Sequence, residues 1–316
     1  MTAPSFQDLL SAYDRRTGRP AGRHEQLAGT DGRLAYNPCL IEEPGGALLA
    51  VRVESPGSYW RDRTSWDPQV RFFTRAGERW VPAPGTPVFD AAEDPFAAWM
   101  RDAHGRRRLV FGVVTLDHSG TPPVPVTQFF VAPDVRGLDP RAPFLAVPGM
   151  KDIRLLQRDG GVVVCGRPQG GRAGIGRISI AVTESFETVT RELIEGAHVF
   201  ADQVAPGTKL GVNELFDLGG TVGVLGHVAV GEEGSTQRYA AAWWTIDPAG
   251  RPLPATSAPE VIATRADFPP GPAKFPAVAD VVFPGSLERL PDGRRRMLCG
   301  LGDASVGSAI LPAGPF

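Results

Sequence analysis

Glu93-Asp94-Pro95-Phe96-Ala97-Ala98-Trp99-Met100, then a turn at His104-Gly105, then Leu109-Val110-Phe111-Gly112, is a phrase that this chain writes five times. An acidic residue or Asn opens a short apolar run, a glycine-containing turn follows, and a second apolar run answers it. The other copies run from Tyr36-Asn37-Pro38 to Arg52, from Lys151-Asp152-Ile153 to Arg167, from Asn213-Glu214-Leu215 to His227, and from Asp280-Val281-Val282 to Asp303. Their polar openers, Asn37, Asp94, Asp152, Glu214 and Asp280, stand 57, 58, 62 and 66 residues apart. Short strands repeated at such a period predict a β-propeller in which each repeat is one four-stranded blade. Five repeats predict an all-β, five-bladed propeller filling a single domain, 1–316, with inner strands starting near 37, 94, 152, 214 and 280. A β-sandwich would alternate in the same way without a polar opener near every sixtieth residue, and six blades would need a shorter period.

The remaining strands read as short runs rich in Val, Ile, Phe and Trp at 47–54, 70–74, 109–116, 128–131, 161–165, 178–182, 222–230, 239–246 and 296–301, each bounded by Gly, Pro or Asp. The last repeat has three clear strands, and residues 25–34 are expected to supply its fourth and close the ring. A short helix is expected near the N-terminus, with Ser5 as cap and Phe6, Leu9, Leu10 and Tyr13 on one face, and no long helix elsewhere.

The 33 Lys and Arg against 35 Asp and Glu leave a net charge of −2, which gives no support to nucleic acid or an anionic membrane as partner. The runs Arg106-Arg107-Arg108 and Arg294-Arg295-Arg296 follow turns and read as hairpin tips. Cys39, Cys165 and Cys299 have no metal spacing and sit in apolar runs, as buried free thiols do. No apolar run approaches the roughly 20 residues that span a bilayer, and the N-terminus lacks a signal-peptide core. The expectation is a cytoplasmic protein whose partner is a small molecule; a homo-oligomer is compatible with it. Serine-hydrolase, zinc-protease, nucleotide-hydrolase and thiol-redox motifs are absent from the sequence.

In a propeller the innermost strands all start at one mouth of the central channel, so Asp94, Asp152, Glu214 and Asp280 are expected to converge there. A ring of carboxylates suits acid/base chemistry or a cation. No cofactor or metal is expected; the carboxylates alone admit a channel Ca²⁺, without ligand spacing to support it. Glu93 beside Asp94 would raise one carboxyl by like-charge repulsion and keep a proton available. Against this, Asp-Pro also begins ordinary strands, as at Asp67-Pro68 and Asp247-Pro248.

Taken in order, Asn37-Pro38 with Arg52 and Glu54, Glu93-Asp94-Pro95, Lys151-Asp152 with Arg167-Pro168, Lys209 and Gly211 before Gly226-His227, Asp280 to Gly285, and Gly300 to Ala304 resemble the five-bladed mannoside phosphorylases and related hydrolases of glycoside hydrolase family 130. The resemblance implies an enzyme cleaving a small glycoside, with Asp94 as proton donor. It further implies Asn37, Arg52 and Asp303 on the sugar hydroxyls, with Glu93 and Asp280 as further substrate-binding candidates, and Arg167, Lys209 and His227 on phosphate where phosphate is the nucleophile; Arg154 and Arg172 could add to that cradle. The chain departs from the family where Phe96 follows Pro95 and where Val212-Asn213-Glu214-Leu215 replaces a Gly-Trp-Leu segment, which points to a divergent branch. A hydrolase would need a second carboxylate to activate water, for which Glu214 is the first candidate and Asp152 and Asp280 are the others. Because the departures weaken the phosphate cradle and add a carboxylate, this reading favours hydrolysis over phosphorolysis. A sugar-binding propeller without catalysis is the competitor from another class. A fructoside- or arabinoside-directed hydrolase is disfavoured by Asn37, where it would carry an acidic nucleophile. Trp60 and Trp66, in the 55–67 insertion, are candidate platforms for a sugar face.

Overall fold

A computed structural model of the chain describes residues 3–158, 160–168, 176–231, 235–250 and 254–312. Arg172 lies outside the described residues. The fold is all-β and propeller-like, built from five antiparallel meanders in chain order. The first comprises Leu34–Ile41, Leu48–Glu54 and Gln69–Ala76; the second Glu93–Arg101, Arg107–Asp117 and Val124–Ala132; the third Met150–Arg158, Gly161–Pro168 and Ser179–Thr183. The fourth is Lys209–Asp217, Val222–Val230 and Arg238–Asp247, and the fifth Asp280–Arg289, Arg295–Leu301 and Ser305–Ile310. They fall into four hydrogen-bonded sheets, because a short parallel pairing of Arg238 with Asp280 and Tyr239 with Val281 joins the fourth meander to the fifth.

The second strands are buried on both faces and read accordingly as unbroken apolar runs: every residue of Leu48–Glu54 is buried, as is Val222–Val230 but for its last. Five hydrophobic cores result, one between each pair of successive meanders. The last of them packs Leu298 and Val306 of the fifth meander against Leu49, Val51, Phe73 and Trp80 of the first. The first strands contact one another in chain order, and the fifth returns to the first. Residues Phe6–Asp14 form the N-terminal helix, with Ser5 and Asp8 in a reciprocal cap, and its Phe6, Leu9, Leu10 and Tyr13 join the core of the fourth meander.

The closing strand differs from expectation. Gly22–His24, just ahead of the expected 25–34, pairs with Gly307–Ala309 of the last strand, and Gln26–Leu27 crosses to pair in parallel with Arg79–Trp80 of the first meander. Buried Glu25 sits at the crossing, accepting from Ser308 Oγ at 2.6 Å and Trp80 Nε1 at 3.1 Å. A one-residue polar anchor, invisible to an apolar-pattern reading, therefore fixes the register there.

Each first strand carries a one-residue bulge at the same level: at Asn37-Pro38, Asp94-Pro95, Asp152-Ile153, Asn213 and Gly285. The structural repeat is the bulge, and it corrects two of the five openers. In the fourth meander the bulged residue is Asn213, one before Glu214; in the fifth it is Gly285, five after Asp280, which merely begins its strand. A shift of one position along a strand turns a side chain to the other side, so the neighbouring carboxylate cannot substitute for Asn213.

Candidate active site

Asn37, Asp94 and Asp152 hold left-handed backbone, with φ of 49°, 50° and 53°, and Asp303, in the turn before the last strand, has φ 52°. Asn and Asp are the side-chain-bearing residues that best tolerate this region. Held strain of this kind concentrates at functional sites, and bulges re-aim side chains. The consequence is that three bulges turn their polar side chains into one buried cluster.

Asn37 Nδ2 donates to Asp94 Oδ1 at 2.7 Å. Arg52 reaches Glu93 at 2.8 Å, Glu54 at 3.1 Å and Asp94 at 3.6 Å, while Lys151 Nζ lies 2.8 Å from the other Glu93 oxygen. Glu54 also receives Tyr36 Oη and Lys274 Nζ. Asp152 pairs with Arg167 Nε at 2.8 Å. Asn213 Oδ1 meets His227 Nδ1 at 2.9 Å, and the His227 ring stacks on Tyr239 at 5.1 Å. Two glycines make room. A Cβ at Gly300 would lie 2.2 Å from Asn37 Oδ1, and one at Gly211 would lie 2.1 Å from His227 Cε1 and 2.6 Å from Asp152 Oδ2.

The neighbours set the protonation of each group. Burial raises the Asp94 carboxyl and the adjacent charge of Glu93 raises it further, outweighing Arg52, Lys151 and Asn37. For Glu93 burial is the largest influence, but Arg52 and Lys151 overcome it and hold this carboxyl low. Asp152 is likewise held low, Arg167 overcoming burial. Asp303 is pushed up to about 6 by burial, with Asp94 adding and Arg52 opposing. Burial takes His227 down to about 3 against the pull of Asp152, so its imidazole is neutral. One acid with a raised pKa beside one fixed as a carboxylate is the arrangement that separates proton donor from electrostatic anchor.

Of the residues expected here, the cluster gathers Asn37, Arg52, Glu93, Asp94, Asp152, Arg167, His227 and Asp303; it does not gather Glu214, Asp280 or Lys209. Asp280 is half-exposed and pairs with Arg238, its register partner in the parallel pairing, at 2.6 Å. Lys209 Nζ donates to the Gly231 carbonyl at 2.7 Å. Glu214 lines a separate cavity farther along the strands. Arg154 is buried under the cluster, its Nε donating to the Asn213 carbonyl at 2.7 Å and its guanidinium 4.4 Å from the Phe96 ring centre. Trp66 packs on His118 at 5.1 Å, and Trp60 lies under the Arg61 guanidinium at 4.9 Å. The residue that sequence reasoning missed is Lys274, which arrives from the connection between Glu260–Ala263 and Asp280–Arg289 with no motif around it. Lys151 and Asn213 were legible as neighbours of Asp152 and Glu214.

Solved structures share this fold. A mannose phosphorylase from Leishmania mexicana, in complex with phosphate ion, is 26% identical over 98% of this chain and 93% of that one, with a TM-score of 0.81. A GDP-Man-dependent mannosyltransferase from the same organism is 20% identical over 99% and 95%, at 0.82. A β-1,2-mannobiose phosphorylase from Listeria innocua is 14% identical over 94% and 92%, at 0.61. The fold is thus related to that of the family 130 mannoside phosphorylases. No curated protein matches the sequence. A family model does match, over residues 21–316, and the chain belongs to that family, described as protein of unknown function DUF1861.

Proposed function

We propose that the five meanders are the blades of one closed propeller domain, 1–316, and that the bulge-lined mouth of its channel is the active site of an enzyme that cleaves a small mannoside by phosphorolysis, with Asp94 as proton donor. The observation that carries the choice of nucleophile is the position of Glu214. The carboxylate first expected to activate water sits apart from the cluster, and Asp152, the candidate within it, is held in an ion pair by Arg167, while Arg52, Lys151, Arg154 and Lys274 add further cations around it. The cluster holds Arg52, Lys151, Arg167 and Lys274 beside Glu54, Glu93 and Asp152, cationic groups suited to an anionic co-substrate. The phosphate-bound relative at 26% identity supports the same reading.

In this mechanism a phosphate oxygen forms its bond to the anomeric carbon as the glycosidic C–O bond breaks. Asp94 passes its proton to the leaving oxygen, directly or through a sugar hydroxyl, and regains one from the phosphate. Arg167 meets the phosphate with bidentate geometry while Asp152 fixes its orientation. Neutral His227, oriented through Nδ1 by Asn213, offers Nε2 to a ligand hydroxyl. Asn37 and Asp303 supply the donor and acceptor pattern that sugar hydroxyls need.

The test is a panel of mannosides, glucosides and short oligosaccharides incubated with and without inorganic phosphate. Sugar 1-phosphate formed only with phosphate is the expected result. Free sugar in equal amounts under both conditions would make the enzyme a hydrolase, and tight sugar binding with no product would make it a binding protein.

A further inference from the structure

Beyond their bulges the five first strands enclose a second space, a cavity of about 390 Å³. It is lined by 39–42, 96–99, 154–157, 213–216, Ser286, Leu287 and Arg289, matching stretches of the five first strands, together with Arg295 from the hairpin of the fifth meander. At about 3.3 Å per residue the lining starts at Asn213, beside the cluster, and reaches roughly 17 Å beyond it at Glu42, Trp99 and Gln157. The size is in the range of small-molecule sites.

Its charge is lopsided. Arg154, Arg289 and Arg295 line it against Glu42 and Glu214. Glu214 Oε2 accepts from the Leu287 backbone N–H at 2.7 Å, and burial pushes this carboxyl up to about 8, with Glu42 adding and Arg295 and Arg154 opposing. At neutral pH Glu214 is therefore an acid able to donate a hydrogen bond, and the lining keeps an excess of guanidinium. Cys39, the other titratable group facing Glu214, is raised to about 12 by burial and carries no charge. Arg154 is itself 4% exposed and already held by two carbonyls. Phe96 and Trp99 add aromatic wall, the Trp99 indole fixed by the Glu42 carbonyl at 2.8 Å.

We propose that this cavity is a binding site for a small phosphate-bearing anion, separate from the catalytic mouth. The guanidinium groups take the phosphate oxygens, the Glu214 acid donates to one of them, and Phe96 and Trp99 border whatever the phosphate carries. Asn213 joins the two ends, since its carbonyl receives Arg154 and its side chain holds His227. The inference does not depend on the reaction proposed for the other mouth.

Calorimetric titration with inorganic phosphate and with a hexose 6-phosphate tests it, on the wild type, on the double variant Arg289→Gln/Arg295→Gln and on Arg167→Gln. A binding event that survives Arg167→Gln and weakens roughly tenfold or more in the double variant is expected. Tighter binding of the hexose phosphate would identify a sugar phosphate as the occupant, and tighter binding of inorganic phosphate the free ion; either supports the site. Affinity in the wild type should fall as pH rises through 8, where Glu214 ionises, and should stay flat in Glu214→Gln. No binding event, or one abolished by Arg167→Gln and unmoved by the double variant, would overturn the proposal.

Discussion

Two regions built from the same five first strands, the bulge cluster and the cavity beyond it, differ in how they treat buried charge. At the bulge end nearly every carboxylate has a cation within hydrogen-bonding distance: Glu93 has Arg52 and Lys151, Asp152 has Arg167, and Glu54 has Arg52 and Lys274. The residues that deliver this cluster do so in left-handed backbone. Farther along, Glu214 has a backbone N–H as its donor and sits in space instead of in an ion pair. The first arrangement stores strain and fixes geometry, as a reaction site must. The second leaves an acid and several guanidiniums facing room for a guest.

The largest expected effect comes from breaking one of those pairs. Arg167→Gln leaves Asp152 as a buried carboxylate without its ion-pair partner, which costs about 3–5 kcal/mol. Chemical denaturation should show the loss, and Arg289→Gln at the far end, on an exposed residue, should not. A smaller effect is expected of Gly211→Ala, whose methyl group meets the His227 ring and Asp152. Overpacking there costs about 1–3 kcal/mol and should displace His227, so turnover falls more than stability does.

Glu214 gives a contrast in pH. Its folded pKa of about 8 stands above the usual carboxylate value, so the folded state keeps a proton that the unfolded state gives up. Its contribution is therefore unfavourable above the unfolded value and grows until pH passes 8. Glu214→Gln should match the wild type in thermal stability near pH 4 and exceed it increasingly from pH 6 to 9. The smallest shift expected is in the pH–rate profile of Glu93→Gln. Removing the like charge lowers the Asp94 pKa, and frees Arg52 and Lys151 to lower it further, so the alkaline limb should move toward acid.

Much of this was legible in the sequence. The period of the openers gave the number of meanders, the apolar runs gave their second strands, and the Ser5 cap gave the helix. Asn37, Asp94 and Asp152 announced themselves because Asn or Asp opening an apolar run marks a bulge in left-handed backbone. The last two meanders differ for a physical reason: their bulges fall on Asn213 and Gly285, residues with no positive φ, so no acid or Asn in left-handed backbone marks them. Glu214 adjoins the true position, and Asp280 is a strand start that the parallel pairing with Arg238 holds at the surface. Lys274 was out of reach because it is brought to Glu54 by tertiary folding of a long connection, Lys274 N–H donating to the Gly302 carbonyl at 2.8 Å. The closing strand was misplaced by a few residues because Glu25, an acid, anchors it from within.

The most direct measurement compares two carboxylates in one assay: turnover of a mannoside with inorganic phosphate by Asp94→Asn and by Glu214→Gln, each first shown to be folded. The account expects Asp94→Asn to lose about 10²–10⁴-fold in kcat and Glu214→Gln to stay near the wild type. Full turnover by Asp94→Asn together with an inactive Glu214→Gln would put the chemistry in the cavity beyond the bulges and contradict it.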